Sequence, residues 1–215
     1  MQQDNFQPMP KSLKYLVGLI VLVELVALAG DYGWLPVEDL RWKIIIYAGL
    51  WSQYVTEGWD TLYFGQAFVM FFSHAFVHGG LFHMAMNVVI LLAIGKRLSI
   101  GAGSKWVLVL FFVSAGAGGV LFVLLNGSGA PAVGASGAVF GFFGFWKMLE
   151  YRMLRRMAAS LAPVYQFIGV MVVLNIALWF GLDGMLAWEA HLGGFIAGWL
   201  LGSIFQPNAG QSRRT

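Results

Sequence analysis

The residues in this chain best suited to chemistry are one serine, two histidines and one asparagine, each set in a segment almost free of other polar groups. Ser136 stands in Gly134-Ala135-Ser136-Gly137, His191 opens Ala190-His191-Leu192-Gly193-Gly194, and His83 and Asn87 are four residues apart. A serine hydroxyl is a weak nucleophile and needs a neighbouring base, and a neutral imidazole can take its proton. Attack on an amide creates an oxyanion, and losing one side-chain donor to it costs roughly 100- to 1000-fold in rate. Asn87 offers an amide donor, His83 an imidazole donor and Ser136 its own backbone N–H. Glu189 is two residues from His191 and points elsewhere on a helix, so the expectation is a Ser–His dyad without a carboxylate.

Such a set needs a scaffold, and composition says where it sits. Of 215 residues, 59% are hydrophobic and 11% charged, with a mean hydropathy of +0.74. A water-soluble surface needs far more charge. A spanning helix needs about 20 apolar residues. Six segments qualify: 13–30, 81–98, 106–125, 133–151, 163–180 and 190–205. Lys11 and Lys14, then Lys96, Arg97 and Lys105, then Lys147, Arg152, Arg155 and Arg156, then Arg213 and Arg214 fall on alternate connections. They therefore share one face, which the positive-inside rule makes cytoplasmic, with both termini on it. Only Arg41 and Lys43 fall on the other side. The basic residues are spent on this orientation, and no basic stripe with interleaved aromatics points to nucleic acid.

Spacing then gives depth. At about 1.5 Å per residue, His83 and Asn87 lie roughly 20 and 14 Å above Lys96, Ser136 roughly 16 Å above Lys147, and His191 roughly 22 Å above Gln206. Their spans run in the same direction, so all four fall in one layer of the outer half of a core about 30 Å thick. Glycines at 137, 141 and 144, and at 194, 198 and 202, would let the fourth and sixth spans approach closely.

Residues 31–77 make too long a connection to be plain loop. Trp34, Trp42, Trp51, Trp59, Tyr47, Tyr54 and Tyr63 suit the membrane interface, so short helices partly in the outer leaflet are expected; a small cap outside the membrane fits nearly as well. Residues 1–12 and 206–215 are expected as cytoplasmic tails around a transmembrane domain at 13–205. Ala27-Leu28-Ala29 resembles a signal cleavage site, but Glu24 inside the run favours a helix whose alanines pack closely. Glu24 itself is expected to face the bundle.

At this point the motifs carry a resemblance. Gly134-Ala135-Ser136-Gly137-Ala138-Val139-Phe140-Gly141 looks like the nucleophile motif of rhomboid proteases. His83-Met84-Ala85-Met86-Asn87 resembles their H-x-x-x-N helix, and residues 190–198 resemble their catalytic histidine helix. His74-Ala75-Phe76-Val77-His78 resembles the segment before the second helix. The resemblance covers about residues 68 to 205 and is of the bacterial type. It implies an all-α, six-helix membrane bundle with a water-filled cavity open to the outer side. It implies an intramembrane serine endopeptidase that cuts membrane-anchored proteins through an acyl-enzyme, without cofactor or metal, in a bacterial inner membrane. Ser136 and His191 carry over as the dyad, and His83, Asn87 and Ser136 as oxyanion donors. Gly134, Gly137, Phe140, Gly141, Gly194 and Gly198 are expected to support them by packing.

Three departures stand out. Phe68-Val69-Met70-Phe71-Phe72 replaces a frequent Trp-Arg pair, which leaves open how the first loop is anchored. Phe140 replaces a frequent tyrosine, keeping an aromatic face for His191 without a hydroxyl. Gly95 replaces an acidic residue before Lys96-Arg97. Two other functions remain open: a non-catalytic rhomboid-like adaptor, and a metal-dependent hydrolase using His74, His78 and His83. The latter lacks an H-E-x-x-H arrangement. His74 and His78 are expected to be structural.

Overall fold

The computed structural model describes residues 9–126 and 129–206. Most of the two expected tails lies outside the described residues, and Lys11 and Ser12 already belong to the first helix. Six long helices form the bundle: α1 (Lys11–Asp31), α5 (Leu81–Ala102), α6 (Ser104–Leu125), α7 (Ser136–Arg156), α8 (Ala162–Gly181) and α9 (Trp188–Ile204). Between α1 and α5 lie three short helices, α2 (Leu40–Ala48), α3 (Gln53–Thr56) and α4 (Gln66–Ser73), and a 3-10 turn at His74–Phe76. No strand occurs among the described residues; a single antiparallel bridge joins Leu50 to Ala132.

Four of the long helices, α1, α5, α6 and α8, are long and apolar enough to cross a membrane by themselves. The other two are the best enclosed. In α9, glycines 193, 194, 198 and 202 are all buried, and in α7 glycines 137, 141 and 144 are. A methyl group on Gly194 would overlap the carbonyl of Gly137, and one on Gly198 that of Gly141. These two helices therefore touch backbone to backbone, which only glycine permits. On the other flank α6 meets α9, where a methyl on Gly118 would come within 2.6 Å of Ala190 O. Phe111, Phe142 and Phe145, all fully buried, fill the space between α7 and its neighbours.

Helix boundaries depart modestly from hydropathy. The fourth span begins at Ser136 rather than 133, because Ala132 is held in the bridge and Gly134 takes φ +115° in the turn before the helix. It runs on to Arg156, since Arg152 donates to the terminal carbonyls of α9 at Gly202 and Phe205, both at 2.7 Å. Helix α5 likewise continues past its basic pair to Ala102. Gly95 has a packing reason to be glycine: a methyl there would sit 3.1 Å from Leu13 of α1. Ala27 is buried inside α1, as close packing requires.

Helix α8 is the exception. Val164, near its N-terminal end, is its one buried residue. Toward its C-terminal end, α8 stands off from α9 across a cleft of about 640 Å³.

Candidate active site

The serine is placed by a turn before it is placed by a helix. Gly134 N–H donates to His74 O at 3.0 Å, and Ala135 N–H donates to His78 Nε2 at 3.3 Å. The two histidines expected to be structural thus hold the backbone immediately before Ser136. His74 is itself fixed by Nδ1, which donates to Met70 O at 2.8 Å. Burial pushes the His74 imidazole down to about 4 and that of His78 down to about 3. Neutrality is what His78 needs, because only an unprotonated Nε2 can accept from Ala135. Gly134 must be glycine twice over: its φ is +115°, and a methyl there would come 2.7 Å from the His83 ring.

Ser136 is the first residue of α7. The N–H groups of a first helical turn have no partner within the helix and carry partial positive charge. They lie where an anion forming at the serine would benefit. His83 reaches this turn from α5, its ring edge-on to His78 with centroids 5.0 Å apart. Asn87 is buried one turn farther along α5 and donates to His83 O at 2.9 Å, leaving its second N–H.

His191 is buried and faces α7 from α9. Phe140, one turn after Ser136, stacks on its ring at 4.2 Å between centroids and 5° between planes. The aromatic face expected of Phe140 is therefore present. Ser136 and Phe140 are four residues apart and share one face of α7, the face on which Phe140 meets the His191 ring. No hydrogen bond joins Ser136 to His191 in this structure.

Sequence reasoning missed one residue. Asn175 of α8 lies against His191, with Oδ1 2.6 Å from Nδ1. The depth argument could have found it. Asn175 interrupts the apolar run that follows Gln166 in α8, 13 residues after Ala162 and so roughly 20 Å from the start of that helix. That is the layer of the other four.

Among the described residues, no group of three or more His, Cys, Asp or Glu side chains is arranged to hold a metal ion. His74 Nδ1 and His78 Nε2 are engaged with backbone groups.

Comparison with known proteins identifies the family. Residues 65–208 match the model of the Rhomboid domain. RHOMBOID-like protein 1 of Arabidopsis thaliana is 34% identical over 140 residues, covering 62% of this chain and 33% of that protein. RHOMBOID-like protein 4 of the same plant is 32% identical over 151 residues, covering 69% of this chain and 34% of that protein. Rhomboid-like protease 3 of Toxoplasma gondii is 35% identical over 126 residues, covering 57% of this chain and 46% of that protein. The chain thus spans about a third to under a half of the length of these curated relatives. They come from a plant and a parasite, and so do not bear on a bacterial inner membrane. A Rhomboid domain over two thirds of its length, inside an all-helical bundle with apolar membrane-length helices, makes this chain an integral membrane protein of the rhomboid family.

Proposed function

We propose that this chain is an intramembrane serine endopeptidase that cuts transmembrane segments of membrane-anchored proteins. The observation that carries it is the pairing across α7 and α9: Ser136 opens one helix, and His191 lies on the other, stacked on Phe140 of the serine's own face.

The chemistry balances with these groups alone. Ser136 Oγ attacks the scissile carbonyl carbon while His191 Nε2 takes the hydroxyl proton. The carbonyl oxygen becomes an anion, met by the N–H of Ser136, the free N–H of Asn87 and the His83 ring. The imidazolium gives its proton to the leaving amine as the C–N bond breaks, leaving an acyl-serine. Water, deprotonated by the same imidazole, then releases the acid and restores the hydroxyl. Gly134, Gly137, Gly141, Gly194 and Gly198 act through packing. No cofactor or metal enters.

The substrate must bring its bond to this layer. With 13–205 as the membrane domain and the basic connections on the cytoplasmic face, the site opens toward the outer side. One relative, named Rhomboid-like protease 3, supports a protease. The presence of both the serine and the histidine weighs against a non-catalytic adaptor.

The test is cleavage of a single-span model substrate with helix-breaking residues at its outer end, in liposomes, with products mapped by mass spectrometry. The wild type is expected to cut near that outer end after a small residue. Replacing the substrate's breakers by leucine should slow cleavage, since glycine and proline lower helix stability by about 1 and 3 kcal/mol. Ser136→Ala and His191→Ala should be inactive while still inserted. Activity retained in Ser136→Ala would remove the serine mechanism.

A further inference from the structure

Asn175 has an unusual address. It sits on α8, the least packed of the long helices, yet its side chain makes the one side-chain hydrogen bond between α8 and another helix among the described residues. Its partner is the imidazole read above as the base. The orientation of the amide is not arbitrary. Nδ2 donates to Met171 O, one turn back on α8, at 2.8 Å. Turning the amide over would set Oδ1 against that carbonyl, two acceptors face to face. Met171 O therefore fixes Oδ1 toward His191 Nδ1. A carbonyl-type oxygen can only accept, so Nδ1 must carry the proton. A neutral imidazole holds one proton, and Nε2 is then the acceptor.

We propose that Asn175 is a positioning residue for His191: its Oδ1 holds the Nδ1–H tautomer and the ring angle, leaving Nε2 open to the Ser136 hydroxyl. This rests on the Ser136–His191 reading and adds a third member to it, supplied by α8. During attack His191 gains a proton on Nε2 and keeps the one on Nδ1, so the bond to Oδ1 persists and is strengthened by the charge. Phe140 supplies the second constraint, holding the ring plane while Asn175 fixes its rotation in that plane. Among the described residues no carboxylate is bonded to the ring, and the neutral amide does the orienting work of one at lower desolvation cost.

The first test reads the wild-type ring itself. The full chain, labelled with ¹⁵N-histidine and held in detergent, is examined by NMR, with His191 assigned through His191→Gln. The wild-type ring should be the Nδ1–H tautomer; an Nε2–H tautomer would overturn the proposal. The second test separates positioning from packing. Asn175→Leu removes the acceptor in a cleft already lined by Met171, Val172 and Ile176, and Asn175→Asp keeps an acceptor. Asn175→Leu is expected to lower kcat by about 10- to 100-fold with KM unchanged. Asn175→Asp should recover to within about tenfold of wild type. Wild-type kcat in Asn175→Leu, or equal loss in both variants, would overturn the proposal. Failure of the serine-protease reading would look different: the wild type itself would neither cleave nor label with a fluorophosphonate, whatever the tautomer.

Discussion

At the scale of single residues, the site depends on a turn with no room to spare. Gly134 lies between two constraints, a left-handed φ and the His83 ring, while its N–H and that of Ala135 are held by His74 and His78. Gly134→Ala should therefore displace Ser136 without disturbing the bundle. The expected result is a loss of cleavage of about 100-fold or more with thermal stability lowered by only about 1–3 kcal/mol, read by side-by-side assays of rate and melting. Near-normal activity would mean that the turn does not set the serine. Much of this was legible in the sequence. Ser136, His191, His83 and Asn87 were singled out by residue type and depth, and the aromatic face of Phe140 toward His191 by motif. Asn175 and the backbone bonds of His74 and His78 were not. The former escaped because an isolated asparagine in an apolar run has no motif. The latter join residues about 60 positions apart, and no periodicity encodes such a pair.

At the scale of elements, α7 and α9 work as one unit because their glycines let carbonyls lie where side chains would be. Gly198→Leu would drive a branched side chain into Gly141 O and must push the helices apart. It is expected to destabilise by several kcal/mol, at or beyond the roughly 1–3 typical of overpacking, and to abolish activity through separation of Ser136 from His191. Ser114 of α6 supplies the contrast. Its hydroxyl is buried against Gly141 without a hydrogen-bond partner among the described residues. Ser114→Ala removes an unsatisfied group and should be neutral or slightly stabilising in a thermal melt. A drop of more than about 1 kcal/mol would show that the hydroxyl has a partner after all. Glycine periodicity announced the α7–α9 contact in the sequence. The standing-off of α8 had no such signal, since an apolar helix reads the same whether lipid or protein covers it.

At the scale of the whole molecule, the first loop is fastened to the bundle by charge rather than by the tryptophan–arginine pair it lacks. Arg41 on α2 grips both oxygens of Glu24 on α1 at 2.9 and 3.0 Å, Asp31 at 2.7 Å and His78 O at 2.9 Å. Glu24 is 1% exposed, so the expectation that it faces inward holds, and its partner is now known. The same arginine touches the carbonyl of the histidine that holds Ala135, which links α1 and the loop to the nucleophile turn. Gln53 Nε2 donating to Gly129 O at 2.7 Å and the Leu50–Ala132 bridge complete that link. Arg41→Ala should strand Glu24 and cost about 3–5 kcal/mol, while Glu24→Leu/Arg41→Leu together should cost less than Arg41→Ala alone. Melting of the single and double variants in detergent checks this, and a double variant worse than the single would contradict it. Sequence could orient Arg41 outside but not pair it, because the partner is 17 residues away across a turn. All of these devices converge on one hydroxyl. The most direct measurement is labelling of the membrane-embedded protein with a fluorophosphonate, followed by digestion and mass spectrometry. The expected result is a single adduct on Ser136, absent in His191→Ala and unchanged by chelators. An adduct elsewhere, no adduct at all, or one that persists without His191, would contradict a Ser136–His191 active site.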